Sequence, residues 1–273
     1  MSAVISSVQT RSTNISAKSI ALPVEHGAWG FLFEPLVAAV LIAPSVGAPW
    51  IVMFYIAAFL ARQPLKFLLG DWQAGRNLPR TRIALRFALI YSAFAALGLA
   101  GGLFYAPTES FLPLVALAPF VVYLMARDVA RQTRQLLPEI IGATALSSSA
   151  MVLALAANWT FGAALAIWAV MLARLVPSIL YVRARLRLAK GKEASAVTAI
   201  GAHNLAIVAV AVLAYLNLIS ILPVLMMTFL TARAIHGLSL WASSARAKEI
   251  GIREVIYGVL TVISVVLGFH LYP

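Results

Sequence analysis

Nine apolar stretches follow one another through this chain, each close to the roughly 20 residues that a helix needs to cross a bilayer. They lie at about Gly27–Ala43, Ala48–Leu69, Ile83–Tyr105, Phe111–Ala126, Ile140–Ala157, Thr160–Val182, Ala194–Leu216, Ile219–His236 and Ile252–Leu271. In hydrocarbon every backbone N–H and C=O must be satisfied inside the protein, which leaves helices or closed barrels. The residue-by-residue alternation of barrel strands is absent. The expected fold is therefore all-α, a polytopic bundle of about nine transmembrane helices. Composition points the same way, with 62% hydrophobic and 11% charged residues against about 25% charged in soluble domains. Residues 1–21 are polar and Ser-rich and lack the apolar core of a cleavable signal peptide. They are expected to form a disordered tail, followed by one transmembrane domain over 22–273.

The charges predict an orientation. Lys and Arg outnumber Asp and Glu by 21 to 9, and on a polytopic chain that surplus marks cytoplasmic loops rather than nucleic acid as a partner. Arg11 and Lys18 precede the first stretch. Arg76, Arg80, Arg82 and Arg86 follow the second; Arg127, Arg131 and Arg134 follow the fourth. Arg183, Arg185, Arg187, Lys190 and Lys192 follow the sixth; Arg246, Lys248 and Arg253 follow the eighth. The intervening loops, Pro44–Gly47, Ala106–Ser110, Asn158–Trp159 and Asn217–Leu218, contain no Lys or Arg. The expectation is an integral membrane protein with its amino terminus cytoplasmic and its carboxyl terminus extracytoplasmic.

Ionisable groups at membrane depth are costly and direct attention to function. Glu34 lies about 12 Å into the first helix by helical rise, and Arg174 a similar depth into the sixth. Arg62, His203, Asn204 and Arg233 also fall in the cytoplasmic half. Two stripes repeat at i, i+4, i+7 and i+11: Arg62, Lys66, Leu69 and Gln73, and Arg174, Ser178, Tyr181 and Arg185. Long basic side chains near helix ends also snorkel to the headgroups. Glu34 cannot reach that far, so it is paired with a deep arginine, protonated or catalytic. Counting Arg62, Lys66, Arg174 and Arg233 against Glu34 predicts a cationic cavity. Its ligand would be an amphipathic anion such as a lipid phosphate or diphosphate, held by those four residues with Tyr181, His203 and Asn204. His26 and Glu34 are candidates for proton handling.

Other signals have ordinary readings. Pro138–Glu139 reads as the capped start of a helix, and Arg127, Asp128 and Arg131 as an interfacial basic face. The four histidines show no metal-binding spacing, and the absence of cysteine removes thiolate ligands and nucleophiles. No metal site is predicted.

The segment Pro23–Glu25–His26–Gly27–Ala28–Trp29, followed by Pro35, resembles the YwiC-like family of bacterial membrane proteins, and Ser178–Ile179–Leu180–Tyr181–Val182–Arg183–Ala184–Arg185 resembles that family's second recognisable segment. The resemblance implies a relative without naming a reaction. A more distant resemblance is to the UbiA prenyltransferase superfamily, which implies nine helices around a cytoplasm-facing cavity. Asp71, in Gly70–Asp71–Trp72–Gln73–Ala74–Gly75–Arg76, sits where that superfamily's first aspartate-rich motif would fall, and Asp128 near the second. Those enzymes use several aspartates per motif to hold magnesium on an isoprenoid diphosphate, whereas each position here offers one. A magnesium-dependent prenyltransferase and an anion or proton-coupled transporter are the alternatives to a binder of lipid anions.

Overall fold

The computed structural model describes residues 17–23, 26–130, 132, 135–239 and 246–271, with only the backbone of His26. Among the described residues all regular structure is helical, in ten α-helices and one 3₁₀ turn. A short α1 (Ala17–Ala21) precedes α2 (His26–Ile42), α3 (Ala48–Gln73) and α4 (Pro79–Tyr105). A 3₁₀ turn at Thr108–Phe111 leads into α5 (Leu112–Val129), then α6 (Leu136–Ala156), α7 (Phe161–Leu188), α8 (Val197–Tyr215), α9 (Leu222–Leu238) and α10 (Ala247–Leu271). The helices α2 to α10 fall on the nine expected stretches. Seven of them are long and apolar enough to cross a membrane, α5 together with its 3₁₀ turn. The other two, α2 and α9, have 17 residues each, about 25 Å of helix against a hydrocarbon thickness near 30 Å.

Most helices at the arginine-rich end run past the expected boundaries, whereas α8 begins later than expected, at Val197. At the arginine-rich end, α3 runs on to Gln73, α4 begins at Pro79, α7 continues to Leu188 and α10 begins at Ala247. Once a backbone helix is nucleated, polar residues extend it past the apolar stretch. The tail expected at 1–21 is corrected at its end: Ala17–Ala21 form α1, and Ile20 is fully buried against Leu68, Ala84 and Ala88. Arg11, Arg131, Arg134 and Pro273 lie outside the described residues.

The packing centres on α7, which touches α2, α6, α8, α9 and α10. Around it α6 packs on α2, α2 on α10, α10 on α9 and α9 on α8. On the far side of α6, α3 packs on α4 and α5. Lipid tails are as apolar as leucine, so small residues and polar contacts decide which helices meet. In α6, the run Ser147–Ser148–Ser149–Ala150 is fully buried. The Trp168 Nε1–H of α7 donates to Ser147 Oγ at 3.0 Å, while Ser148 Oγ lies 2.8 Å from the Tyr55 hydroxyl of α3. Large apolar side chains point outward instead, among them Leu89, Val122, Leu205 and Val259. In water such a surface would aggregate, whereas in a bilayer it is the lipid-facing wall.

Gly98 sets the α3–α4 contact. A Cβ there would come within 2.6 Å of the Phe54 amide nitrogen and 2.8 Å of the Trp50 carbonyl oxygen. Gly98→Ala should therefore lower thermal stability in detergent by roughly 1–3 kcal/mol through backbone displacement. Gly201→Ala, where a Cβ meets open space, should leave it unchanged or raised by the better helix propensity. Equal behaviour of the two variants would contradict this helix contact.

Candidate functional site

Four helices bring charges to one point beside α7. Arg174 is almost fully buried and faces α10 and α2. Its Nη2 donates to the Glu254 backbone carbonyl at 2.9 Å, and its Nη1 to Glu254 Oε2 at 3.3 Å and to Ser178 Oγ. Its Nε lies 3.5 Å from Glu34 Oε2 of α2, an ion pair without hydrogen-bond alignment. Glu254 spends its other oxygen on α9, where Arg233 Nη1 donates to Oε1 at 2.6 Å. The depth match expected between Glu34 and Arg174 is thus realised as contact, and Glu254 ties the two arginines together.

Local sequence makes room for this. Gly258 lies one turn beyond Glu254, and any Cβ there would collide with the Glu34 carboxylate. Gly237 does the same for the Tyr181 hydroxyl. Pro35 and Pro177 remove helical N–H donors next to Glu34 and Ser178, so the carbonyls of Phe31 and Ala173 lose their i+4 partners. The cluster therefore sits where two helices carry backbone as well as side-chain polarity.

Arg233 is the most exceptional member. Its guanidinium carbon lies 4.0 Å from the Tyr181 ring centroid and 4.8 Å from that of Tyr257. Its side chain is only 8% exposed, yet Nε and Nη2 have no hydrogen-bond partner among the described residues. That Nε/Nη2 edge is the one with which Arg62 grips Asp128 and Arg80 grips Asp71 in this same chain. Nearby, His203 of α8 is buried with its Nδ1 2.7 Å from the Ala199 carbonyl. An Nδ1–H donated to that carbonyl leaves Nε2 as an acceptor in the neutral ring, and Nε2 is also unpartnered. His203 is within electrostatic reach of Arg233, Glu254 and Arg174.

The cationic cavity expected from the four deep bases needs correction. Arg62 belongs to another seam: its Nε and Nη2 donate to Asp128 of α5 at 2.6 and 2.9 Å. Lys66 lies one turn beyond Arg62 on α3. Arg174 and Arg233 are matched by Glu34 and Glu254, so these four charges cancel. Tyr181 and His203 join the cluster, but Asn204 is exposed on another side of α8. The side chain of His26 lies outside the described residues. Glu139 pairs with Arg183 at 2.8 Å in a half-exposed position. Sequence reasoning missed Glu254 and Tyr257. The available signal was an acid two residues inside the ninth apolar stretch, as anomalous there as Glu34 in the first.

The two aspartates at the positions of the UbiA-like motifs are already engaged. Asp71 accepts from Arg80 Nε at 3.0 Å, Arg80 Nη2 at 2.5 Å and the Thr81 hydroxyl at 2.8 Å. Asp128 gives both oxygens to Arg62. Magnesium prefers carboxylate and water oxygens around one octahedral ion. A lone carboxylate closed by an arginine at each position does not fit it.

A family model described as YwiC-like protein matches residues 22–154. No curated protein and no solved structure matches. The matched stretch includes Glu34, while Arg174, His203, Arg233 and Glu254 come from helices beyond it.

Breaking a buried ion pair typically costs about 3–5 kcal/mol, and an exposed one about 0–1 kcal/mol. Glu254→Gln should therefore lower detergent melting far more than Glu139→Gln. Comparable small losses in both variants would mean that Glu254 does not bridge Arg174 and Arg233.

Proposed function

Starting from a multi-pass membrane protein whose residues 22–154 match a YwiC-like family model, we propose that it holds an amphipathic anion at Arg233. The anion lies in the half of the bundle next to the arginine-rich loops, which face the cytoplasm of a bacterial inner membrane by the positive-inside rule. The amino terminus is then inside and the carboxyl terminus outside. The observation that supports this reading is the buried Nε/Nη2 edge of Arg233, which has no partner among the described residues. Such an edge suits two oxygens of a carboxylate or phosphate. Because Glu34 and Glu254 balance Arg174 and Arg233, the headgroup is held by directed hydrogen bonds more than by surplus charge. The apolar remainder of the ligand, for which an isoprenoid or acyl chain serves, lies among the surrounding helices.

A second reading, an anion carrier, is favoured by one feature at the opposite end of the bundle. There α7, α8, α9 and α10 surround an open cavity of about 830 Å³, lined by Ile167, Val170, Pro223, Val265 and Phe269 with Asn217 and Ser220. Val170 is one helical turn from Arg174, so cavity and cluster share a face of α7.

Native mass spectrometry of the purified protein with co-extracted lipids tests the first reading. An anionic lipid adduct should be retained by the native chain and lost in Arg233→Gln. A retained adduct of unchanged occupancy in a folded Arg233→Gln protein would contradict the assignment. Uptake of an anion by reconstituted vesicles, abolished by the same substitution, would select the carrier.

A further inference from the structure

A separate cavity opens at the arginine-rich end of the α3–α4 hairpin, away from the cluster on α7. It holds about 500 Å³ and is lined by Leu68, Trp72, Arg76, Asn77, Arg82 and Leu85, with Gly75 and Thr81. The turn that shapes it is fixed. Gly75 adopts φ +61°, a left-handed conformation natural to glycine. The Gly75 and Arg76 amides donate to the Trp72 and Asp71 carbonyls at 3.0 and 2.9 Å. Asp71 anchors the back wall by binding Arg80 and Thr81.

That anchoring leaves the cavity electropositive. Three arginines, Arg76, Arg80 and Arg82, meet one carboxylate, Asp71, and Arg80 takes its hydrogen bonds. The side chains of Arg76 and Arg82 make no hydrogen bond or ion pair among the described residues. Arg86 adds a further base one turn after Arg82, and like charges at i, i+4 repel unless a counter-charge lies between them.

The surroundings say what kind of anion fits. Trp72 is 59% exposed beside the arginines, the placement of an aromatic anchor at the membrane–water boundary. Below it, Arg82, Leu85, Arg86 and Leu89 share one face of α4 at helical spacing, and Leu85 and Leu89 are exposed to the lipid side. Bases at headgroup level continue into leucines at acyl-chain level. A free phosphate would use only the upper half of this surface.

We propose that the α3–α4 turn is a binding site for one anionic phospholipid, its phosphate between Arg76 and Arg82 and its acyl chain along Leu85 and Leu89. The test is native mass spectrometry of the full chain in detergent, titrated with phosphatidylglycerol or with zwitterionic phosphatidylcholine. The native protein should prefer phosphatidylglycerol by at least about fivefold, given the usual contribution of a single base near an anionic surface. The double variant R76Q/R82Q should lose that preference. R187Q/K190Q, which removes the same charge from another loop, should keep it. Millimolar inorganic phosphate should not displace the lipid. The proposal is overturned if the two double variants behave alike, if phosphatidylcholine binds equally well, or if inorganic phosphate competes. Both variants change exposed side chains, and unchanged melting temperatures would confirm that the comparison is between folded proteins.

Discussion

An arginine inside a membrane cannot discard its charge, and Arg174 lies on the helix that touches five others. The need to solvate that guanidinium with protein groups constrains the rest of the bundle. Its donors reach α10 through the Glu254 side chain and backbone, and its Nε faces Glu34 of α2. Glu254 then recruits Arg233 from α9. Packing between apolar helices in lipid is weakly selective, so this chain of charges supplies much of the information about which helices are neighbours. The two short helices, α2 and α9, each bring one of its members. Their lesser span length is offset by polar anchoring at the hub.

What was legible in the sequence follows from the same physics. The nine apolar helices could be read because a lipid-facing surface demands uninterrupted apolar runs. Pairing of Glu34 with Arg174 could be read because helical rise converts sequence distance into depth. Glu254 escaped because the hydropathy boundary at Ile252 places it at a membrane edge, whereas α10 begins at Ala247 and carries it about two turns in. Asp128 and Asp71 were seen as motif positions, but their arginine partners lie on other helices or across a turn. Counting deep charges by span therefore overstated the cationic surplus. Asp128, just outside the fourth apolar stretch, neutralises Arg62, which lies inside the second.

The arrangement of polar groups, more than their number, separates structural from functional charge here. Arg62 and Arg80 close their side edges on buried aspartates. Arg233 is more deeply buried than either, lies against two tyrosine rings and turns the equivalent edge toward no described partner. His203, within electrostatic reach of Arg233, adds an unpartnered Nε2 acceptor in surroundings where hydrogen bonds are strengthened by low local dielectric. Neutrality of the four surrounding charges keeps the cluster compatible with the membrane interior while leaving a directed recognition edge.

The account rests most heavily on direct coupling between α2 and α7, and a double-mutant cycle measures it. Glu34→Gln, Arg174→Gln and the combined variant are compared by thermal stability of the full chain in detergent. The account predicts strong non-additivity, because removing the second partner relieves the charge that the first removal left uncompensated. Additive losses would mean that Glu34 and Arg174 do not interact, and would contradict the charge network on which this packing depends.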